Sequence, residues 1–287
     1  MVIVDFSSVI IANLHAQFGI QNIKVVEEDL LRHMILNTLR AIRVRFKKQD
    51  MVIACDRGSW RKSVYPYYKA NRKKTKDESG LDWRAIFEVF GKIRSEIREN
   101  FPYRVIEVEG AEADDVIAAL VFKFGDDDVM SLMYGESDKE EIIIVSPDKD
   151  FAQLHVFGNV KQFDPIKKKF IDHKNPSAYL NEHIIRGDSG DGVPNIMSDD
   201  DTFVVPGKRQ KPMTQKRLEE FMEAIPAEFQ RNWERNLTLI DLQKCPESIH
   251  QEVLDTYEKQ AGKDRSKIFN YMVQNRLRNL LESIQEF

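Results

Sequence analysis

Cysteines, long apolar runs and nucleotide-binding fingerprints are scarce or absent in this chain of 287 residues. Its two cysteines, Cys55 and Cys245, are too few for a disulfide framework or a zinc-ligand set. No apolar run approaches the roughly 20 residues that cross a bilayer, and neither a P-loop nor a Gly-x-Gly-x-x-Gly motif occurs. The first strand carries Asp5 and no basic leader, which argues against a signal peptide. We therefore expect a monomeric cytoplasmic protein with no membrane partner.

Short apolar runs alternate with segments of helical periodicity over residues 1–175. The predicted core strands are Val2–Val4, Met51–Ala54, Arg104–Val108 and Glu141–Val145, and Val160–Phe163 with Lys169–Ile171 predict a hairpin. The predicted helices are Glu27–Phe46, Trp83–Arg98 and Glu112–Phe124, and the predicted loop is Asp128–Lys139. From Pro176 the pattern is almost entirely helical. We therefore predict an α/β core over 1–175, with a mainly parallel central sheet flanked by helices, and a helical portion over 176–287.

Each of the four predicted core strands is followed by acidic residues. In strand order these are Asp5, then Asp56, then Glu112, Asp114 and Asp115, and finally Asp148 and Asp150. Parallel strands bring their carboxyl ends to one edge of the sheet, so we expect these acids to be neighbours in space. A single acid at such a position is often only a helix cap or a turn residue. We expect that structural role for Asp115 and Glu109.

A cluster of this many carboxylates needs a counter-charge. At about 4 Å and an effective dielectric constant near 20, each like-charged pair costs on the order of 4 kcal/mol. Oxygen ligands suit Mg²⁺ or Mn²⁺, and no histidine or cysteine accompanies the acids in sequence, which disfavours zinc. Two ions are plausible with so many ligands, and such a pair supports phosphoryl transfer. The pattern therefore predicts a divalent-metal phosphoryl-transfer site.

A basic, aromatic segment begins one residue after Asp56. Residues 57–76 contain eight Lys or Arg residues and no Asp or Glu, although the net charge of the chain is −4. Such cations neutralise phosphates, and aromatic rings stack on unpaired bases. The candidate contacts are Arg61, Lys62, Lys69, Arg72, Lys73 and Lys74, with Trp60, Tyr65, Tyr67 and Tyr68 as candidate stacking residues. A solvated loop whose aromatics belong to the core is the alternative, but adjacency to Asp56 favours phosphate binding.

Several motifs together make the sequence resemble the flap endonuclease / 5′-nuclease family, most closely its T-even-type phage ribonuclease H branch. They are Val-Asp-Phe-Ser at 4–7, Cys-Asp at 55–56, Tyr-Tyr-Lys-Ala-Asn-Arg at 67–72, Glu-Ala-Asp-Asp at 112–115, Ser-Pro-Asp-Lys-Asp-Phe at 146–151 with Gln153-Leu154, and Gly-Asp-Ser-Gly-Asp-Gly-Val-Pro at 187–194. The resemblance runs over essentially the whole chain. It implies a core like that of the PIN domains and the 5′-nucleases.

The resemblance implies two metal ions and the residues that hold them. Asp5, Asp56, Glu112 and Asp114 would surround the first ion, and Asp148, Asp150 and Asp191, with Asp114 shared, the second. Asp188 would bind the second ion directly or through water. Lys69 and Arg72 would contact the scissile phosphate, and Tyr68 would lie near the unpaired end of the substrate. Residues 57–100, and above all 70–100, would form the arch over the site.

The segment 187–194 resembles the start of a helix–three-turn–helix element. There, backbone N–H groups at Gly190 and Gly192 would hold duplex phosphates, often beside a monovalent cation. The usual second glycine-rich turn is missing and residues 195–201 stand in its place, so this chain departs from the pattern of the monovalent site. The sequence offers Lys208, Arg209 and Lys211 as alternative duplex contacts.

The resemblance implies a 5′-3′ exonuclease and flap endonuclease with ribonuclease H activity, which removes primers during DNA replication. Its expected partners are branched or primed duplex DNA and RNA/DNA hybrid, and, if the chain is phage-encoded, its place is the host cytoplasm. Two alternatives stay open: a PIN-like endoribonuclease and a non-catalytic DNA-binding replication factor. The apolar segment 280–287 is a candidate docking segment for a sliding clamp or single-strand-binding protein.

Overall fold

The structure is a computed structural model that describes residues 1–11, 27–47, 50–72, 82–127 and 139–287. The predicted phosphate contacts Lys73 and Lys74, the upper part of the predicted arch and most of the predicted loop 128–139 lie outside the described residues. None of the described helices is both long and apolar enough to cross a membrane.

A six-stranded sheet forms the centre of the molecule. Its strands are β1 (Val2–Asp5), β2 (Met51–Ala54), β3 (Arg104–Ile106), β4 (Ile142–Val145), β5 (Val160–Asp164) and β6 (Lys169–Ile171). Their order across the sheet is β3-β2-β1-β4-β5-β6, and every neighbouring pair is parallel except the antiparallel β5–β6 hairpin. This confirms the predicted mainly parallel sheet and its terminal hairpin.

Both faces of the sheet are buried, because successive side chains of each strand enter opposite cores. In β1, Val2 and Val4 belong to one apolar cluster and Ile3 to the other, and in β4 Ile143 and Ile144 divide in the same way. Continuous apolar strands are typical of a parallel sheet covered on both sides. The two layers of helices are therefore a direct consequence of strand composition.

Ten α-helices of the described residues cover the sheet and build the second half of the chain. They are α1 (Glu28–Phe46), α2 (Arg61–Val64), α3 (Trp83–Asn100), α4 (Ala113–Phe124), α5 (Pro176–Arg186), α6 (Gln215–Glu223), α7 (Gln230–Ile240), α8 (Glu247–Lys259), α9 (Ile268–Gln274) and α10 (Arg278–Leu281). Helices α1 and α3 pack on one face of the sheet and α4 on the other. The predicted helices agree with the observed ones to within two residues at the ends of α1, α3 and α4.

The helical portion after residue 175 does not stand apart from the sheet. Residues of α8 extend the cluster around α4, and residues of α9 and α10 extend the cluster around α1 and α3. Two smaller apolar clusters join α5, α6 and α7. The division into 1–175 and 176–287 stays a prediction about domains, with the last helices contributing to the same cores as the strands.

The segment 280–287 is held inside the fold. Phe287 is fully buried, with its ring 5.6 Å from that of Phe101, and Glu286 forms an ion pair with Arg40. Leu280 is buried in the same cluster. The hypothesis that this segment docks on a clamp or single-strand-binding protein is therefore wrong for this conformation, because its apolar side chains already fill the core.

Removing the Phe287 ring is expected to cost about 3–5 kcal/mol of unfolding free energy, because Phe287→Ala leaves a cavity in a packed core. Phe269→Ala is the matched control, since Phe269 is exposed and surface substitutions usually change stability by less than about 0.5 kcal/mol. Urea denaturation of both variants measures the difference. Equal free energies of unfolding for the two variants would show that Phe287 does not stabilise the core.

Candidate metal centre and nucleic-acid interface

The acids predicted at the strand ends meet where the direction of the chain across the sheet reverses. Strand β1 pairs with both β2 and β4, and the chain builds β2 and β3 on one side before it builds β4 to β6 on the other. A crevice opens at such a switch point, beyond the carboxyl ends of the strands. Asp5 ends β1, and Asp148 and Asp150 follow β4, so the two sides contribute acids to one place.

Seven of the eight predicted metal ligands line one cleft of about 370 Å³. They are Asp5, Asp56, Asp114, Asp148, Asp150, Asp188 and Asp191. Glu112 lies on the wall of an adjoining cleft of about 970 Å³. The structure therefore brings together acids that are up to 186 positions apart, from Asp5 to Asp191.

Local hydrogen bonds fix the orientation of the acids from β1, β2 and β4. Asp5 accepts hydrogen bonds from the Ser8 backbone N–H at 3.1 Å and the Ser146 hydroxyl at 2.9 Å. Asp56 accepts one from the Ala113 N–H at 3.0 Å, at the first turn of α4. Asp148 accepts one from the Asp150 N–H at 3.0 Å. Asp5 is therefore held through both of its oxygens, and Asp56 and Asp148 are each held through Oδ1.

Burial and mutual repulsion make these carboxylates hard to ionise without a cation. Burial, reinforced by Asp56, raises the pKa of Asp5 to about 7, and burial with Asp148 raises the pKa of Asp150 to about 7. Burial and the charges of Asp148 and Asp5 also raise the pKa of Asp114. The Oδ1 atom of Asp150 is buried with no hydrogen-bond partner among the described residues. Carboxylate oxygens that repel one another in this way are the ligands that a divalent cation binds.

Glu112 is held by a ring of donors beside the cleft. Its carboxylate accepts hydrogen bonds from Ser59 at 2.9 Å and Arg61 at 3.0 Å, and it lies 2.5 Å from the Lys69 ammonium. Asp115 also binds Arg61, at 2.9 Å, and caps α4. The structural role expected for Asp115 fits this arrangement. The other expected structural acid, Glu109, pairs on the surface with Arg57.

The structure corrects the prediction that Arg61 and Tyr68 contact nucleic acid. Arg61 is 2% exposed and its guanidinium is used by Glu112 and Asp115. Tyr68 is also buried, with its hydroxyl 2.8 Å from an Asp191 oxygen and 3.0 Å from a Glu112 oxygen. Both side chains support the acidic residues from inside, because the start of the basic segment packs against α4, α5 and α7.

Lys69 and Arg72 lie on the rim that the two clefts share. The Lys69 ammonium lies 3.5 Å from Asp191, and Arg72 forms an ion pair with the same carboxylate. Burial lowers the pKa of Lys69, but the charges of Asp191 and Glu112 outweigh it and raise that pKa overall, so the ammonium stays charged. Lys69 adopts a left-handed backbone conformation at φ 57°, which is uncommon for a residue other than glycine.

The turn 187–193 is docked against the segment 67–72. Carbonyl oxygens of Ser189, Gly190 and Asp191 accept hydrogen bonds from Asn71, Arg72 and the Lys69 N–H, at 2.8, 3.1 and 2.7 Å. A Cβ on Gly192 would lie 2.9 Å from the Tyr67 carbonyl. Gly192 is therefore buried, which corrects its assignment as a nucleic-acid contact. The monovalent cation near 187–194 stays a prediction, with three of the carbonyls there already engaged.

The remaining predicted contacts differ in accessibility. Lys62 is exposed on the wall of the larger cleft, beside Trp83, Arg84 and Phe87. Gly190, Arg209 and Lys211 are exposed, whereas Lys208 forms ion pairs with Asp199 and Asp201. Of the candidate stacking residues, Tyr67 is exposed and Tyr65 is buried. Fewer of the predicted contact residues are therefore accessible to nucleic acid than the sequence indicated.

The sequence pattern missed His183. This residue lies on α5 between Asp150 and Asp188, so a histidine does accompany the acids, contrary to the prediction. Ser146, which orients Asp5, was also missed. His183 sits within an ordinary helical pattern, so no spacing signal marks it, whereas Ser146 directly precedes the acidic loop after β4.

A divalent-metal nuclease is the class of protein that this fold and cleft define. The family model described as 5′-3′ exonuclease, N-terminal resolvase-like domain, matches residues 1–182. The model described as T4 RNase H, C terminal, matches residues 176–287. The chain belongs to the 5′-3′ exonuclease and flap endonuclease family, whose members are metal-dependent nucleases, and to its T4 RNase H branch.

Individual relatives agree with this assignment. Ribonuclease H of Enterobacteria phage T4 is 31% identical over 99% of this chain and 95% of its own length. Flap endonuclease Xni of Shewanella piezotolerans is 32% identical over 48% of this chain and 49% of its own length. The bacteriophage T5 flap endonuclease, in a complex with DNA and metal ions, has a TM-score of 0.61 at 17% identity, over 90% of this chain and 98% of its own. T5 5′-exonuclease has also been solved with bound zinc, at the same TM-score, over 91% and 99% of the two chains.

Replacing one buried acid is expected to stabilise the metal-free protein at high pH. A raised carboxyl pKa contributes stability below the unfolded value of 3.8, and that contribution is lost as the pH rises to about 7. In EDTA, Asp5→Asn should therefore raise the Tm more at about pH 8 than at about pH 5. Thermal denaturation measures this, with Glu109→Gln as the charge-matched control that leaves the slope unchanged. A Tm for Asp5→Asn below that of wild type at the higher pH would contradict the electrostatic account.

Proposed function

We propose that the chain is a 5′-3′ exonuclease and flap endonuclease that hydrolyses RNA or DNA at the 5′ ends of primed, nicked or flapped duplexes and removes primers during replication. One observation carries the proposal: the acidic cleft opens into a larger basic and aromatic cleft, and both are lined by Lys69, Arg72 and Asp56. Cations and aromatic rings at this junction suit unpaired nucleotides, whose phosphates and bases need both. A phosphodiester of a strand bound in the larger cleft then lies next to the acids of the smaller cleft.

The residues around the acidic cleft divide into two ligand sets for two Mg²⁺ ions, with Mn²⁺ as a substitute. Asp5, Asp56, Asp114 and Glu112 are assigned to the first ion, and Asp148, Asp150, Asp191 and the shared Asp114 to the second. When bound, such a pair supplies a metal-activated water and stabilises the leaving oxygen. Lys69 and Arg72 lie next to the acids and orient the scissile phosphate, since a cation placed where negative charge develops favours the transition state.

The duplex is assigned to the surface around residues 187–211. Gly190, Arg209 and Lys211 are exposed there, and Lys208 becomes available if its pairs with Asp199 and Asp201 open. The unpaired strand is assigned to the larger cleft, with Lys62 on its wall. The predicted contacts Lys73 and Lys74 lie outside the described residues. The likeness to a phage ribonuclease H supports the cytoplasm of a phage host as the place of action.

Two other functions make different predictions for a 5′-flap duplex that contains no RNA. A PIN-like endoribonuclease would leave that substrate uncut, and a non-catalytic DNA-binding factor would bind it without metal-dependent product. The ladder of products from a 5′-labelled flap and from an RNA-primed duplex, across a Mg²⁺ titration and in EDTA, separates all three. The same ladder measures product length and the balance between endonuclease and exonuclease cutting.

Asp114→Asn and Asp148→Asn are each expected to abolish cutting and to leave binding of the flap junction largely intact. Both side chains line the acidic cleft and neither lies on the surface assigned to the duplex. Cleavage of a 5′-labelled flap and its electrophoretic mobility shift measure the two properties separately. Full cleavage by either variant would refute the ligand assignment.

Arg72→Gln is expected to lower kcat by about 10²-fold, because it removes a cation directed at the scissile phosphate. In this variant the Lys69 ammonium still lies 3.5 Å from Asp191. One positive charge therefore remains beside the metal site. Arg278→Gln, an exposed arginine on α10, is the matched control for loss of positive charge. Single-turnover cleavage rates of the two variants give the comparison, and equal rates would remove Arg72 from the reaction.

A further inference from the structure

His183 occupies a buried position between Asp150, which is assigned to the second ion, and Asp188. Its side chain is 7% exposed. Ring atom Nε2 lies 3.1 Å from Asp188 Oδ2, and Nδ1 lies 3.5 Å from Asp150 Oδ1. Ligand-type atoms of the three residues lie within 4.8 Å of one another. The ring therefore faces a carboxylate on each side.

Asp188 uses its carboxylate to hold its neighbours. Its Oδ1 accepts hydrogen bonds from the backbone N–H groups of Gly190 and Asp191 at 2.8 and 3.2 Å, and its Oδ2 accepts from Lys149 at 2.9 Å and from His183. These four donors fix the position of the Asp188 carboxylate beside the His183 ring. Because an ionised carboxylate only accepts, Nε2 of His183 carries the hydrogen toward Asp188, and the Lys149 ammonium lies 3.5 Å from the same nitrogen. In the neutral ring, Nδ1 then presents a lone pair.

Nδ1 lies near an oxygen that has no hydrogen-bond partner among the described residues. Asp150 Oδ1 is buried and forms no hydrogen bond there, and 3.5 Å exceeds the usual N–H···O range. Two acceptors at that distance repel unless a cation lies between them. Mg²⁺ and Mn²⁺ take octahedral ligand sets, in which two neighbouring ligand atoms at about 2.1 Å from one ion are about 3.0 Å apart. The observed separation of 3.5 Å is within about 0.5 Å of the separation of two atoms that share such an ion.

We infer that His183 Nδ1 is a nitrogen ligand of the second divalent ion and that Asp188 orients the imidazole ring. A carboxylate that accepts the second ring N–H of a metal-bound histidine is a common arrangement. The inference deepens the proposed function and rests on it. A mixed nitrogen and oxygen site favours Mn²⁺ over Mg²⁺ more than an all-oxygen site does, so His183 sets the metal preference of this centre.

Pulsed electron paramagnetic resonance of the Mn²⁺-loaded full chain tests the inference directly. Wild-type protein is expected to show the hyperfine coupling of a directly bound histidine nitrogen, and His183→Gln is expected to lose it. His250→Gln is expected to keep the coupling. His250 lies on α8 and packs against Phe122. Absence of the coupling in wild-type protein overturns the inference, whether or not the variants fold.

Calorimetric titration of the same proteins distinguishes a ligand from a residue that only positions Asp150. His183→Gln is expected to weaken Mn²⁺ binding at one site by about tenfold or more and to weaken Mg²⁺ binding less. Equal losses for the two ions would contradict ligation. Cleavage of the 5′ flap by wild-type protein with Mn²⁺ is a separate readout, so failure of the proposed function and failure of the nitrogen ligand give different results.

Discussion

Repulsion among carboxylates at the centre of the sheet is the constraint that orders the residues around it. Like charges about 4 Å apart cost on the order of 4 kcal/mol per pair near an effective dielectric constant of 20. The rim is neutralised by the protein itself, since Glu112, Asp188 and Asp191 each have a cationic neighbour. The middle is not, and there the pKa values of the carboxyl groups rise. Negative charge is therefore neutralised at the rim of the cleft and not at its centre. A divalent ion is attracted most strongly to that centre.

The sequence predicted the sheet and the acidic edge well, because both depend on local patterns. An apolar run of four residues predicted β2, and two short segments around a Lys/Pro turn predicted the hairpin. The strand-end rule brought Asp5, Asp56 and Asp148 to one cleft, where the structure has them. The family motif extended the set to Asp191, which no strand precedes. These successes share a cause: in a parallel sheet, chain direction alone decides which ends meet.

The sequence pattern could not show which side chains of the irregular segments are buried and which are exposed. Arg61 and Tyr68 look like phosphate and base contacts because their neighbours are basic, yet contacts with α4 and α7 bury both. His183 looks like part of an ordinary helix, and only the packing of α5 beside the loop after β4 gives it chemical meaning. The apolar residues of 280–287 fit a docking segment and a core segment equally well, and the choice depends on Phe101, almost two hundred positions away.

The sheet order also means that the acidic cleft is complete only when both halves of the sheet are present. Asp5, Asp56 and Asp114 come from the part of the chain that builds β1 to β3 and α4, whereas Asp148, Asp150 and Asp191 come from β4 onward. Neither part alone supplies all the acids of the cleft. Proteolysis between α4 and β4, or synthesis that stops there, therefore yields fragments that each carry only part of the acidic cleft.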